Sequence, residues 1–211
     1  GELDKALEIR QQEQLPVYER LDDVQAKAVT MGKIASILRA QGQLDKALEI
    51  LQEEVLPIFE QIENVREKAV TMGEIASILR AQGQLDEALE IRRKEQLPVY
   101  EKIGDVRAKA VTMGKIADIL QDRGQLDEAL DIRRNEELPV YERLSDVQAK
   151  AVTMGKIADI LQARGELDKA LEIYQEEMLP VFEQLRDIKT KAVVFGRVAD
   201  ILKARGELDK A

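Results

Sequence analysis

The side chains able to do chemistry in this chain are carboxylates, amines and guanidines, because it contains no histidine and no cysteine. Their absence removes an imidazole base, a thiol nucleophile, a disulfide and the usual zinc ligands. The acidic residues number 41, so chance carboxylate pairs are unavoidable. They are spread along stretches of helical pattern, with no ligand loop for a divalent cation and no glycine-rich phosphate loop. The expectation is a non-enzyme with no cofactor and no metal. A net charge of −9 and a pI near 4.9 also disfavour nucleic acid as a partner. Five lysines, Lys27, Lys68, Lys109, Lys150 and Lys191, recur at one spacing, and pairing with acidic neighbours is the expected use of their charge.

That spacing belongs to the elements that must position these groups. The stretch from Ala108 to Leu120 has counterparts beginning at Ala26, Glu67, Ala149 and Thr190. A glycine follows each one, at Gly42, Gly83, Gly124, Gly165 and Gly206, and these stand 41 residues apart. A tandem array governs the chain. The units read as 1–41, 42–82, 83–123, 124–164 and 165–205 with a partial unit 206–211, one repeat array over 1–211. Aromatic content of 3% makes the core aliphatic, and no apolar run is long enough to span a membrane.

Each unit predicts one helical hairpin, and nothing reads as a strand. After the glycine, Leu-Asp-x-Ala-Leu starts helix B, near residues 3 to 21 in the first unit. Asp23, Asn64, Asp105, Asp146 and Asp187 then occupy N-cap positions, and helix A runs from each cap to the next glycine. On helix A, Val106, Ala110, Met113, Ile116, Ala117 and Leu120 share a core face, while Arg107, Val111, Gly114, Asp118 and Gln121 form a second, mostly polar one. Helix B carries Leu85, Ala88, Leu89, Val99, Tyr100 and Ile103 on one stripe. It also carries Pro98, repeated at Pro16, Pro57, Pro139 and Pro180. Proline costs about 3 kcal/mol in a helix interior. Helix B is therefore kinked or split there, and one kinked helix is favoured because the stripe resumes in phase.

This pattern resembles the tetratricopeptide (TPR) repeat, in spacing more than in identity. Met113 stands at the signature tryptophan, Ile116 at the leucine, Ala117 at the glycine, Leu120 at the tyrosine and Ala129 at the alanine of the second helix. Arg133 departs from the phenylalanine, and Pro139 is not at the family's proline position. The unit exceeds the usual length of about 34 residues by about seven, close to two helical turns. The resemblance implies an all-α fold, a right-handed α-solenoid of tandem TPR-like helical hairpins. It also implies a non-catalytic scaffold that binds a peptide or protein partner in a concave groove of helix A residues.

Two sets of residues are candidates for binding. The groove set is Gly32, Ser36 and Arg39; Gly73, Ser77 and Arg80; Gly114, Asp118 and Gln121; Gly155, Asp159 and Gln162; and Gly196 with Asp200. A glycine inside a helix costs roughly 1 kcal/mol against alanine, so its recurrence implies close approach by a neighbouring helix A or by a partner. Serines give way to aspartates along this face, which grades its charge. The second set interrupts the polar positions of helix B: Leu51, Val55 and Phe59, and Tyr174, Met178 and Phe182. These six either complete the local core or form apolar patches for self-association. A self-assembling array, natural or engineered, built through such patches or through uncapped ends is the alternative, with a homo-oligomer as its product. The cysteine-free composition fits a cytoplasmic location.

Overall fold

The computed structural model describes residues 1–206; residues 207–211 of the expected partial unit lie outside the described residues. All regular structure among the described residues is helical. The chain divides into two compact halves, Gly1–Asp105 and Val106–Ala211. The N-terminal half contains α1 (2–20), α2 (Val24–Ala40), α3 (44–61), α4 (Val65–Ala81) and α5 (85–103). The C-terminal half contains α6 (Val106–Asp122), α7 (126–143), α8 (Val147–Ala163), α9 (167–184) and α10 (Ile188–Ala204). Odd-numbered helices are the B type and even-numbered ones the A type.

Local chemistry sets the helix ends. Asp23, Asn64, Asp146 and Asp187 accept hydrogen bonds from the amides of Ala26, Glu67, Ala149 and Thr190, satisfying first-turn donors that have no partner inside the helix. Gly42, Gly83, Gly124, Gly165 and Gly206 all take φ between 75° and 81°, the left-handed conformation that closes the preceding helix. In the first of these turns the Gln43 amide reaches back to the Leu38 carbonyl at 2.9 Å. The residue before each N-cap is left-handed too. Only one of these positions is a glycine, Gly104; the others are Asp22, Glu63, Ser145 and Arg186.

Helix B neither splits nor breaks at its proline. It widens first. Ile9–Gln14, Ile50–Val55, Ile91–Gln96, Arg133–Glu137 and Ile173–Met178 are π-helical, and a regular helix with proline in its first turn follows each. The wide turn removes the demand for a proline N–H, and the backbone stays right-handed, with φ −58° and ψ −47° at Leu97.

The cores are aliphatic. In the N-terminal half Ala28, Ile34, Ala35 and Leu38 of α2 meet Ala47, Leu51, Val55 and Phe59 of α3; in the C-terminal half Ala151, Ile157, Ala158 and Leu161 of α8 have the same role. Ala110, Ile116, Ala117 and Leu120 are buried as the face pattern requires. Val106 is exposed and Met113 half-buried, whereas Thr112 and Ile119 are buried. Thr112 is tolerated there because its hydroxyl donates to the Ala108 carbonyl of its own helix at 2.9 Å. On α5 the buried stripe runs Leu89, Arg92, Gln96 and Tyr100, and Ile103 is exposed.

Candidate functional site

Two residues leave the wide turn of each B helix four positions apart and point at the A helix before it. In α3 they are Leu51 and Val55; in α5, Arg92 and Gln96; in α7, Arg133 and Glu137; in α9, Tyr174 and Met178. All eight are buried. Arg92 donates from Nη2 to the Gly73 carbonyl at 2.9 Å and to Ser77 Oγ at 2.8 Å, and from Nη1 to Gln96 Oε1 at 2.7 Å. Arg133 donates to Asp118 Oδ1 at 2.5 Å and to Glu137 Oε2 at 2.7 Å. Tyr174 donates its hydroxyl to Asp159 Oδ1 at 2.6 Å. Leu51 and Val55 make the equivalent contact with apolar atoms only.

This arrangement explains the recurring glycines. A methyl on Gly114 would stand 2.5 Å from Glu137 Oε1, and one on Gly155 2.8 Å from Met178 Cε. On Gly73 it would collide with the Gln96 amide. What approaches these backbones is a side chain of the following B helix, neither a neighbouring A helix nor open space for a partner. Gly73, Gly114 and Gly155 are buried and do not form a bare groove floor. Gly32 differs: a methyl there would meet nothing within 4 Å, because Val55 is too short to cover it.

The six apolar helix B residues are likewise interior. Leu51, Val55, Phe59, Tyr174, Met178 and Phe182 are exposed by 6% or less, which removes them as a surface patch. They pack there because their counterparts in the other repeats bury polar atoms at the same depth. The charge grading is also used internally. Asp118 faces Arg133, with Lys115 and Lys156 at 3.8 and 3.7 Å, and Asp159 faces Tyr174, with Arg197 at 3.9 Å. Burial pushes the Glu137 carboxyl above its ordinary range, and the adjacent Arg133 only partly offsets this. The Tyr174 hydroxyl is raised by burial and further by its bond to Asp159.

The two residue sets thus meet in one kind of cavity, walled by successive A helices and floored by the B helix between them. In the N-terminal half, α2 and α4 stand over α3 around about 200 Å³ that reaches Gly32, Ser36, Leu51, Val55 and Phe59. In the C-terminal half, about 190 Å³ lies over Arg133 and Glu137 between α6 and α8, and about 170 Å³ over Tyr174 and Met178 between α8 and α10. Their mouths carry a valine from each wall, Val29 with Val70, Val111 with Val152, and Val152 with Val193. Val70, Val111, Val152 and Val193 are exposed; the face pattern placed Val111 on the second face of helix A, but the groove set left these valines out. Their recurrence three residues before each interior glycine is the signal that could have found them.

Of the remaining groove candidates, Arg39 lies 3.6 Å from Glu74, Ser36, Ser77, Arg80, Gln121 and Gln162 are half-buried, and Gly196 and Asp200 are exposed. Four of the five helix A lysines pair with acidic neighbours as expected: Lys27 with Glu19, Lys68 with Glu60, Lys150 with Glu142 and Lys191 with Glu183, at 2.7–3.1 Å. No helix among the described residues is long and apolar enough to cross a membrane.

Paired helices with small residues at their crossings, repeated along each half, give this chain a TPR-like repeat fold. Residues 27–95 match the model of the tetratricopeptide repeat. The chain is similar in fold to BtubC (BKLC) from P. vanneervenii, with a TM-score of 0.83 and 17% identity over 100% of this chain and 87% of that one. It is also similar to a putative kinesin light chain of Podosopora anserina with nearly identical TPR-like repeats, at TM-score 0.70 and 18% identity over 86% and 88% of the two chains. Aspartyl phosphate phosphatase F from Bacillus subtilis matches at TM-score 0.75 and 14% identity over 91% of this chain, which spans about half (51%) of that protein. No curated protein matches the sequence. At these identities the likeness is one of fold. Proteins of this fold commonly mediate protein–protein interaction.

Proposed function

We propose that the chain is a non-catalytic interaction scaffold that binds an extended peptide or a partner helix along the inner face of its A helices. The observation that supports this reading is the exposed valine repeated on α4, α6, α8 and α10. Each sits at the mouth of a cavity floored by buried side chains of a B helix. Within each half, exposed valines with polar flanks suit a ligand held by a few apolar anchors. Lys115, Lys156 and Arg197 flank the valines in the C-terminal half, each within 4 Å of Asp118 or Asp159.

The test is selection of peptides from an unbiased display library on the immobilised full chain, followed by affinity measurement on Val111→Asp and Val152→Asp. These valines are 45% and 52% exposed, so the fold should tolerate both changes. Loss of binding by about tenfold or more in each variant is expected. Peptides whose binding ignores both substitutions, or a library that yields none, would show the groove reading to be wrong.

A further inference from the structure

We infer that the cavity over Gly32 is a receptor pocket for one long apolar side chain, methionine or leucine in size, carried by an acidic segment of a protein partner. The inference rests on the groove reading above and names the chemistry of one of its sites. Comparison of equivalent positions carries it. At Gly155 the space next to the glycine is taken by the Met178 thioether, whose Cε and Sδ would lie 2.8 and 3.2 Å from an added methyl. At Gly114 it is taken by Glu137 and at Gly73 by Gln96. At Gly32 the chain offers only Val55, and the space stays open to the mouth.

The volume, about 200 Å³, is lined by Ala28, Val29, Leu51, Val55, Phe59 and Val70. An apolar void of about 150 Å³ is enough to hold a benzene-sized group, so one Met or Leu side chain fits without repacking. Met178 shows, within the same fold, a thioether seated against the glycine of one crossing.

Charge at the mouth identifies what flanks that side chain. Lys33 lies at the rim, where Ser36 replaces the aspartate found in the later repeats. Its counterparts Lys115 and Lys156 both have Asp118 within 4 Å, whereas Lys33 has no carboxylate at ion-pair distance among the described residues. Glu74 on the opposite wall is held by Arg39, and Glu67 sits in the first turn of α4, where the helix amides offset its charge. Lys33 is the exposed rim charge without an ion pair, and an acidic residue beside the apolar anchor complements it.

The probe is a labelled peptide, Gly-Asp-Xaa-Asp-Gly, with methionine, leucine, alanine or lysine at Xaa, titrated against the full chain by fluorescence polarisation. The methionine and leucine peptides are expected to bind about tenfold tighter than the alanine peptide. Gly32→Leu, which fills the cavity from α2, should abolish that preference, and so should Val55→Met, which sets a thioether beside Gly32 as Met178 is set beside Gly155. Lys33→Glu should weaken the methionine peptide at low salt. Equal binding of all four peptides, or a preference that survives both plugs, overturns the pocket. Amide shifts on titration should fall at Val29, Gly32 and Val70. Shifts confined to Val111 and Val152 would overturn the pocket while leaving the groove reading in place, and that reading fails separately, by the library selection.

Discussion

Met178 of α9 reaches back to α8 and lies so close to Gly155 that a single added methyl would stand 2.8 Å from its terminal carbon. One crossing of this type, with a different side chain each time, organises every hairpin that has a B helix following its A helix among the described residues.

Alanine substitution of these glycines should therefore not give one answer. Gly32→Ala adds helix propensity with nothing in its way and should stabilise by up to about 1 kcal/mol. Gly155→Ala gains the same propensity but must displace the flexible end of Met178, for a smaller or null effect. Gly114→Ala pushes the Glu137 carboxylate off its partner and should destabilise by about 1–3 kcal/mol. Urea midpoints measured on the three variants should rank in that order. Three equal shifts would mean that helix propensity alone sets the outcome.

The residues at a crossing act as sets. Arg133→Met strips the guanidinium from the buried carboxylates of Asp118 and Glu137, and should cost about 3–5 kcal/mol. Combining Arg133→Tyr with Glu137→Met rebuilds the set seen at Asp159, Tyr174 and Met178, and should recover most of that loss. Leu51→Arg with Val55→Gln likewise rebuilds the set of Ser77, Arg92 and Gln96 over Ser36. Thermal denaturation checks both pairs; a rebuilt set no more stable than Arg133→Met would contradict the account.

Glu137 also gives a pH signature. Burial raises its carboxyl above the ordinary 4.5, so the folded state holds this proton more tightly than the unfolded chain does. The associated stability is fully present below 4.5 and is lost as pH rises through the raised value. Glu137→Gln, the amide that Gln96 supplies in its own crossing, has no proton to release. Its stability relative to the parent should grow as pH increases from 4.5 through the raised value and stay constant below 4.5. A difference independent of pH would show that Glu137 is not held in this way.

The left-handed residues before the N-caps offer a stability gain. Glu63 and Ser145 sit at φ 53° and 52°, where Gly104 sits at 69° in the equivalent turn. Replacing either with glycine should stabilise by about 1 kcal/mol, and Gly104→Ala should lose a similar amount. Calorimetric midpoints that move the other way would place the strain elsewhere.

The hairpin pattern was legible in the residues because each of its signals is local. The N-cap carboxylates act on amides three residues away, the loop glycines act through their own φ, and the apolar spacing of helix A reports its own buried face. The candidate site was legible only in part. Gly114 and Met178 were both singled out, but as members of two separate surfaces. Arg133 read as a departure from a family position, although it is the partner of Asp118.

By itself, then, the sequence determined where the helices begin and end and which of them form hairpins, since backbone and capping terms act within one or two turns. Only the tertiary structure decided that the interior glycines and the variable helix B residues share one crossing. Residues 15 to 23 positions apart in the chain meet there, as Asp118 meets Arg133 and Gly155 meets Met178. It also decided that proline is absorbed by a π-helical turn, because that turn is held by packing against the neighbouring A helix and not by propensity.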